Sequence, residues 1–187
     1  MRRAIALLPL LLAACATDAT HAPPPAAANG YPLRNAGFES PPRPGERCPA
    51  EWGCTMHADP DAFRFRLDDT APAEGRRSLC IERVTAEPWA VASQSVPAQA
   101  LRGRKVRFSI AMRGEGLAGP GAGPWLMVNG MSGYMLLHEE RVAKIGPQWE
   151  RRAIELLVPP QAEALEVGAT LQGAGRVCID DARLDPA

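Results

Sequence analysis

The chain has 187 residues and a formal net charge of zero, with 21 basic and 21 acidic residues spread along its length. This balance argues against nucleic-acid binding, which needs a basic footprint, and against a disordered acidic tail. Hydrophobic residues make up 46% of the chain, enough to form one buried core.

The first 14 residues are typical of an export signal. Arg2 and Arg3 precede an apolar stretch at residues 4–12 that is too short to span a membrane as a stable helix. Small residues follow, directly before Cys15, and this order resembles the lipobox of bacterial lipoproteins. The resemblance implies cleavage after residue 14 and acyl chains on Cys15. An ordinary secretory signal with an incidental cysteine is the alternative.

The segment after the signal is predicted to connect a lipid anchor to a folded domain. Ala16 is not the aspartate that resembles an inner-membrane retention signal, so the expected location is the outer membrane, on its periplasmic or surface face. Residues 15–32 are rich in alanine and proline and cannot bury enough apolar surface to offset their ordering entropy. They are expected to form a tether, and residues 33–187 the domain.

Alternation of apolar and polar residues predicts β-strands through most of the domain. The apolar positions are Phe63, Phe65, Leu67, Val106, Phe108, Ile110, Met112, Ile154, Leu156, Val158, Leu165, Val167, Ala169, Leu171, Val177 and Ile179. Glycine and proline predict turns between them at 72–75, 114–124, 146–147, 159–160 and 173–175. Short strands separated by frequent turns favour an all-β fold, an antiparallel sandwich or barrel.

Four cysteines remain besides Cys15, an even number that favours two disulfides in an exported protein. Of the three possible pairings, we favour Cys48 with Cys54, which closes a short loop, and Cys80 with Cys178, which ties an early strand to the last one. A zinc site is the alternative, but the spacings differ from the paired C-x2-C pattern.

Five short motifs follow one another through the domain. They are Asn-Ala-Gly-Phe-Glu at 35–39, Glu-Gly-Arg-Arg-Ser-Leu at 74–79, Leu-Arg-Gly-Arg at 101–104, Trp149 ahead of Val158-Pro159, and Ile-Asp-Asp at 179–181. Their order and spacing over residues 33–184 resemble bacterial carbohydrate-binding modules with the galactose-binding-like jelly roll. The resemblance implies an antiparallel β-sandwich, a fold that carries sugar binding, protein contacts or purely structural roles.

The same resemblance implies a structural calcium ion where the first and last strands meet. The implied ligands are Glu39 and Asp181, with Asp180 as a substitute, because Ca²⁺ prefers carboxylate oxygens. In the alternative interpretation, Glu39 caps a turn and the aspartates are solvated at a strand end.

Glycan binding needs an aromatic face against a sugar ring and polar groups that hydrogen-bond its hydroxyls. The candidates for a concave binding face are Trp89, Trp125, Tyr134, His138 and Gln94. Each of these residue types also packs in cores, which is the alternative.

No nucleophile, metal or phosphate-binding motif is present, and His138 lacks a second histidine at helical spacing, so no catalytic function is predicted. Two hypotheses remain. One is a carbohydrate-binding lipoprotein of the cell envelope, and the other is an envelope lipoprotein that makes structural or protein contacts without a glycan ligand. They differ in whether Trp89 and Trp125 line a groove or lie in the core.

Overall fold

A computed structural model describes residues 30–187. The predicted signal peptide, Cys15 and the tether up to residue 29 lie outside the described residues. The described part has a 3-10 turn at Met131–Gly133 and no α-helix. Its strands are β1 (Gly53–Met56), β2 (Phe63–Asp68), β3 (Ser78–Arg83), β4 (Trp89–Pro97), β5 (Lys105–Asn129), β6 (Met135–Glu140), β7 (Glu150–Leu157) and β8 (Ala164–Pro186).

All strand pairs are antiparallel, and two long strands, β5 and β8, take part in both layers of the sandwich. The first half of β8 lies between β4 and the second half of β5, and the second half of β8 lies between β3 and the first half of β5. The front sheet therefore has the order β1-β4-β8-β5-β6, and the back sheet has the order β2-β3-β8-β5-β7. The predicted antiparallel β-sandwich is confirmed.

Glycines allow β5 and β8 to bend from one layer into the other. Gly116 and Gly175 both have positive φ, at 60° and 107°, a region that favours glycine. A Cβ atom on Gly175 would lie 2.7 Å from the carbonyl oxygen of Gly116. The prediction of turns at 114–124 and 173–175 is wrong. The two segments pair with each other and form bends within the continuous strands β5 and β8.

The core fills the space between the two sheets. The alternating apolar positions predicted in β5 and β8 are buried there, among them Phe108, Met112, Leu165 and Ile179. Phe65 and Leu67 of β2 pack against the core while remaining partly exposed. Burial of this apolar surface is the main force that stabilises the sandwich.

Two disulfides join the pairs favoured from the sequence, Cys48–Cys54 and Cys80–Cys178. The second joins β3 to β8, where the two cysteines face each other in the strand register. All four cysteines are thus engaged, which leaves no thiolates for the alternative zinc site. Residues 30–187 contain a complete core and both disulfides, as an independently folding domain requires.

Within residues 30–187, the structure has no helix of the length and apolar character that a membrane-spanning segment needs.

Candidate ligand-binding cleft

A cavity of about 560 Å³ opens on the outer face of the front sheet, and we call it the cleft. Its lining comes from β1, β4, β5, β6 and β8, and consists of Thr55, Trp89, Val91, Ser93, Trp125, Met127, Met135, His138, Glu140, Glu166, Thr170 and Gln172. These positions alternate along each strand with residues of the core, such as Ala90, Leu126 and Val167. The period of two in a strand therefore gives the front sheet one buried face and one face that carries the cleft.

Two indoles form opposite sides of the cleft. Trp89 begins β4 and Trp125 lies in the second half of β5, with β8 between the two strands. Two strand spacings of about 4.8 Å therefore separate the strands from which the indoles project. Both side chains are half-buried and lie outside the core. In the register with β8, Trp89 pairs with Gln172 and Trp125 pairs with Gly168, so the two indoles are also offset by four residues along that strand.

Each indole packs beside a histidine. The ring of His57 lies edge-on to Trp89 with a centroid distance of 6.0 Å, and the ring of His138 lies 5.7 Å from that of Trp125. His57 Nδ1 is 2.9 Å from Glu87 Oε2, which fixes the orientation of that imidazole. These contacts restrict the rotation of both indoles and preorganise the sides of the cleft.

The polar groups of the cleft include two carboxylates held by neutral amides. Gln172 Nε2 donates to the carboxylate of Glu140 at 2.9 Å, and Asn129 Nδ2 donates to Glu166 Oε1 at 2.9 Å. The imidazole of His138 is 3.9 Å from Glu140. The cleft therefore offers carboxylate and amide groups to hydroxyl or amine donors of a ligand.

The structure places the predicted binding residues in different environments. Trp89, Trp125 and His138 line the cleft, whereas Tyr134 precedes β6 outside its lining and is 75% exposed. Gln94 does not line the cleft. Its side chain is buried, because it alternates with Ser93 and so points away from the cleft.

Gln94 instead holds the segment before β1. Its Oε1 accepts from the backbone N–H of Arg34, and its Nε2 donates to the carbonyl oxygens of Arg34 and Glu51. These three bonds satisfy a buried amide and leave it no group for a ligand.

Sequence analysis did not identify Met127, Glu140, Glu166 or Gln172 as cleft residues. Met127 and Glu140 each lie two positions after a predicted residue, so the period of two was the available signal. Glu166 and Gln172 lie on β8, and their place in the cleft follows from the pairing of β8 with β4 and β5. That pairing joins distant parts of the chain and leaves no local pattern in the sequence.

The carboxylates proposed for calcium stabilise a loop between β2 and β3. Glu39 Oε1 accepts from the backbone N–H groups of Arg76 and Arg77, and these bonds, led by that of Arg76, lower the pKa of Glu39. Asp180 Oδ2 accepts from the N–H groups of Ala73 and Glu74. The two motifs at the ends of the domain therefore cap the same loop from two sides.

Asp180 is fully buried, and desolvation raises the pKa of its carboxyl group although three backbone N–H groups oppose this effect. Two arginines contact the carboxylate of Asp181. Arg151 contacts its Oδ2, and Arg183 donates to the same oxygen at 2.6 Å. Glu39 keeps one buried oxygen, Oε2, without a hydrogen-bond partner among the described residues. The predicted pair of Glu39 and Asp181 does not fit a calcium site well, because guanidinium groups already neutralise Asp181.

No family model and no curated protein match this sequence. Solved structures do match the fold. The C-terminal family 22 carbohydrate-binding module of Clostridium thermocellum Xyn10B is 22% identical with a TM-score of 0.59, and the match covers 86% of this chain and 95% of the module. The module TmCBM61, solved in complex with β-1,4-galactotriose, is 18% identical with a TM-score of 0.54, and the match covers 86% of this chain and all of that one.

A third similar structure is the enzymatically active domain of tailspike protein 4 from bacteriophage CBA120. It is 14% identical with a TM-score of 0.65, and the match covers 83% of this chain. The present chain spans about a fifth of the tailspike length, since 21% of that chain is covered. At these identities the similarities establish the fold alone, an antiparallel β-sandwich.

Proposed function

We propose that residues 33–187 form a non-catalytic glycan-binding domain and that its ligand lies in the cleft between Trp89 and Trp125. The observation that carries the proposal is the position of the two indoles, which project from the outer face of the front sheet into a cavity of about 560 Å³. Indole faces pack against the apolar side of a sugar ring, and the amides and carboxylates beside them accept or donate hydrogen bonds to its hydroxyls.

The similar structures support this proposal. The family 22 module is named for the role of its cleft residues in ligand binding, and TmCBM61 was solved with bound galactotriose. The enzymatic activity named for the tailspike belongs to a much longer chain. The similarity to two carbohydrate-binding modules supports a non-catalytic domain.

We further propose that the domain is exported and held at the outer membrane by acyl chains on Cys15, through the tether at residues 15–32. Two disulfides support export, because disulfides persist in oxidising compartments. The lipobox-like order of residues before Cys15 supports the lipid anchor.

A second function, contact with other envelope proteins without a glycan ligand, is favoured by one observation. Four large apolar side chains around the start of β6 are exposed, namely Met131, Tyr134, Met135 and Leu137. Contiguous exposed apolar groups often mark interaction sites.

A glycan array probed with residues 30–187 tests the proposal. We expect saturable binding to one glycan class, loss of that binding in a Trp89→Ala/Trp125→Ala double variant, and retention in Trp149→Ala. Trp149 is a matched control because it lies outside the cleft, where its Nε1 donates to the carbonyl oxygen of Ala71. Absence of binding at millimolar ligand, in protein with a normal thermal transition, would reject glycan binding and favour the envelope-protein function.

A further inference from the structure

The charge of the cleft differs from that of the rest of the surface. Acidic residues elsewhere in the described part commonly have an arginine partner, as in the pairs Arg43–Glu51, Arg102–Glu163 and Arg113–Asp68. No lysine or arginine lines the cleft. Its two carboxylates have no lysine or arginine within 4.0 Å among residues 30–187. Among residues 30–187, the only basic side chain within 4.0 Å of either carboxylate is the imidazole of His138, which lies 3.9 Å from Glu140.

The hydrogen-bond partners of these carboxylates orient the carboxylate groups but do not neutralise their charge. The side-chain amides of Gln172 and Asn129 hold Glu140 and Glu166 by hydrogen bonds of 2.9 Å. An amide carries no net charge, so each bond fixes the direction of a carboxylate and leaves its field open to a ligand. The half-buried side chain of Glu140, 34% exposed, remains accessible from the cleft.

The aromatic groups of the cleft favour the same sign of ligand charge. Trp89 and Trp125 line the cleft, and the negative quadrupole of an indole face attracts cations, more strongly when they are partly desolvated. Two indoles and two carboxylates in one concave site therefore attract an ammonium group and repel a carboxylate group.

We infer that the ligand of the cleft is a glycan that carries free amino groups, such as a polymer of glucosamine-type sugars, and that acidic glycans are excluded. This inference rests on the proposed glycan-binding function and names its substrate class. The sugar rings pack on Trp89 and Trp125, while the ammonium groups meet Glu140 and Glu166. N-acetylation removes the ammonium charge and leaves ring packing and hydroxyl contacts in place.

Calorimetric titration of residues 30–187 with length-matched hexamers tests the inference. The probes are hexamers of glucosamine, N-acetylglucosamine, glucose and galacturonic acid, at pH 6 and at two concentrations of NaCl. We expect the glucosamine hexamer to bind at least about tenfold more tightly than the two neutral hexamers at low salt, with the difference shrinking at high salt. The galacturonate hexamer should not bind.

A charge-matched pair of variants locates the effect. Glu140→Gln/Glu166→Gln should remove the preference for the glucosamine hexamer while retaining the affinity for a neutral one, because each glutamine keeps one oxygen that accepts a bond from Gln172 or Asn129. Glu82→Gln/Glu163→Gln changes the net charge equally at residues outside the cleft and should retain the preference.

Each other result overturns a defined part of the account. Binding of the neutral hexamers as tight as that of glucosamine, lost in Trp89→Ala/Trp125→Ala, would reject the amino-glycan inference and leave glycan binding intact. Binding of glucosamine that persists unchanged in the double tryptophan variant would show non-specific charge attraction and reject the inference. No binding of any hexamer would reject the inference, and the glycan array would then decide the proposed function separately.

Discussion

The cleft on the front sheet and the group around Asp68 on the back sheet hold their carboxylates in opposite ways. On the back sheet, the Asp68 carboxylate lies 3.4 Å from Arg113 Nη2 and 2.5 Å from Arg176 Nη2, with only 11% of its side chain exposed. In the cleft of the front sheet, Glu140 and Glu166 meet amides and an imidazole. The difference indicates that compensated charges stabilise this fold, whereas uncompensated ones remain available to a ligand.

The back-sheet group is a packed unit and not a simple ion pair. Asp68 and Arg176 cover the Cys80–Cys178 disulfide, with Arg176 Nη2 3.2 Å from Cys80 Sγ. The guanidinium of Arg113 lies 5.1 Å from the centroid of the Trp149 ring. Disruption of this unit should therefore lower stability, while disruption of the cleft should lower ligand affinity.

The largest expected effect comes from removal of the disulfide beneath the Asp68 group. Cys80 and Cys178 are 98 residues apart, and a loop of that size predicts a loss of about 4 to 5 kcal/mol in the free energy of unfolding for Cys80→Ser/Cys178→Ser. Cys48→Ser/Cys54→Ser should lose about 2 to 3 kcal/mol, because its bond spans only 6 residues. Urea unfolding measures both, and equal losses would contradict the loop argument.

A smaller loss is expected from Asp68→Asn, which leaves Arg113 and Arg176 without their shared anion. Breaking a buried ion pair costs several kcal/mol, and we reduce this to about 2 kcal/mol because Arg176 is 35% exposed. The free energy of unfolding at pH 7 is the measurement. A change below about 0.5 kcal/mol would remove the distinction between the two sheets.

The stability that Asp68 contributes should depend on pH. The N–H of Thr70 first, and then Arg176 and Arg113, lower the pKa of Asp68 below its ordinary value of 3.8. A carboxyl group with a lowered folded-state pKa stabilises the protein above its unfolded-state pKa and loses this effect as pH falls through the folded-state pKa. The difference in unfolding free energy between wild type and Asp68→Asn should therefore be constant above about pH 5 and shrink below pH 4. A difference that grows on acidification would contradict this sign.

In the cleft, the matching exchange should leave stability almost unchanged. Glu140→Gln/Glu166→Gln preserves acceptors for Gln172 and Asn129 and removes two uncompensated charges, so we expect a change within about 0.5 kcal/mol in unfolding free energy. Urea unfolding beside Asp68→Asn gives a direct contrast. A loss of 2 kcal/mol or more would mean that the cleft carboxylates are structural.

The smallest expected effect is that of calcium. Because Arg151 and Arg183 neutralise Asp181, we expect 5 mM Ca²⁺ to shift the Tm by less than about 1 °C relative to EDTA. A rise of several degrees that EDTA reverses would show that Glu39 and the terminal aspartates hold the ion implied by the fold resemblance.

The core and its strands were predictable because their signal is local. In β5, Phe108, Ile110 and Met112 alternate with polar or small residues, and all three are buried. The disulfides were also predictable, since the pairing of a short loop and a strand-to-strand bond was one of only three possibilities.

The cleft was harder to predict because its strands lack a clear alternation. Most of β4 carries small residues on both faces, and β6 exposes Met135 and Leu137, so neither gave a period of two. Residue type alone suggests Gln94 as a cleft residue, but its side chain lies on the buried face of β4. The position of Glu166 opposite Met127 depends on strand pairing across distant parts of the chain.

The most direct test follows the four tryptophan indole N–H signals by NMR during titration with the tightest-binding hexamer. Trp52 and Trp149 donate their indole N–H groups to the carbonyl oxygens of Asn35 and Ala71. Trp89 and Trp125 line the cleft. The account predicts that the signals of Trp89 and Trp125 shift to saturation while the other two stay in place. Saturable binding that leaves both cleft signals unmoved would contradict a ligand site in the cleft.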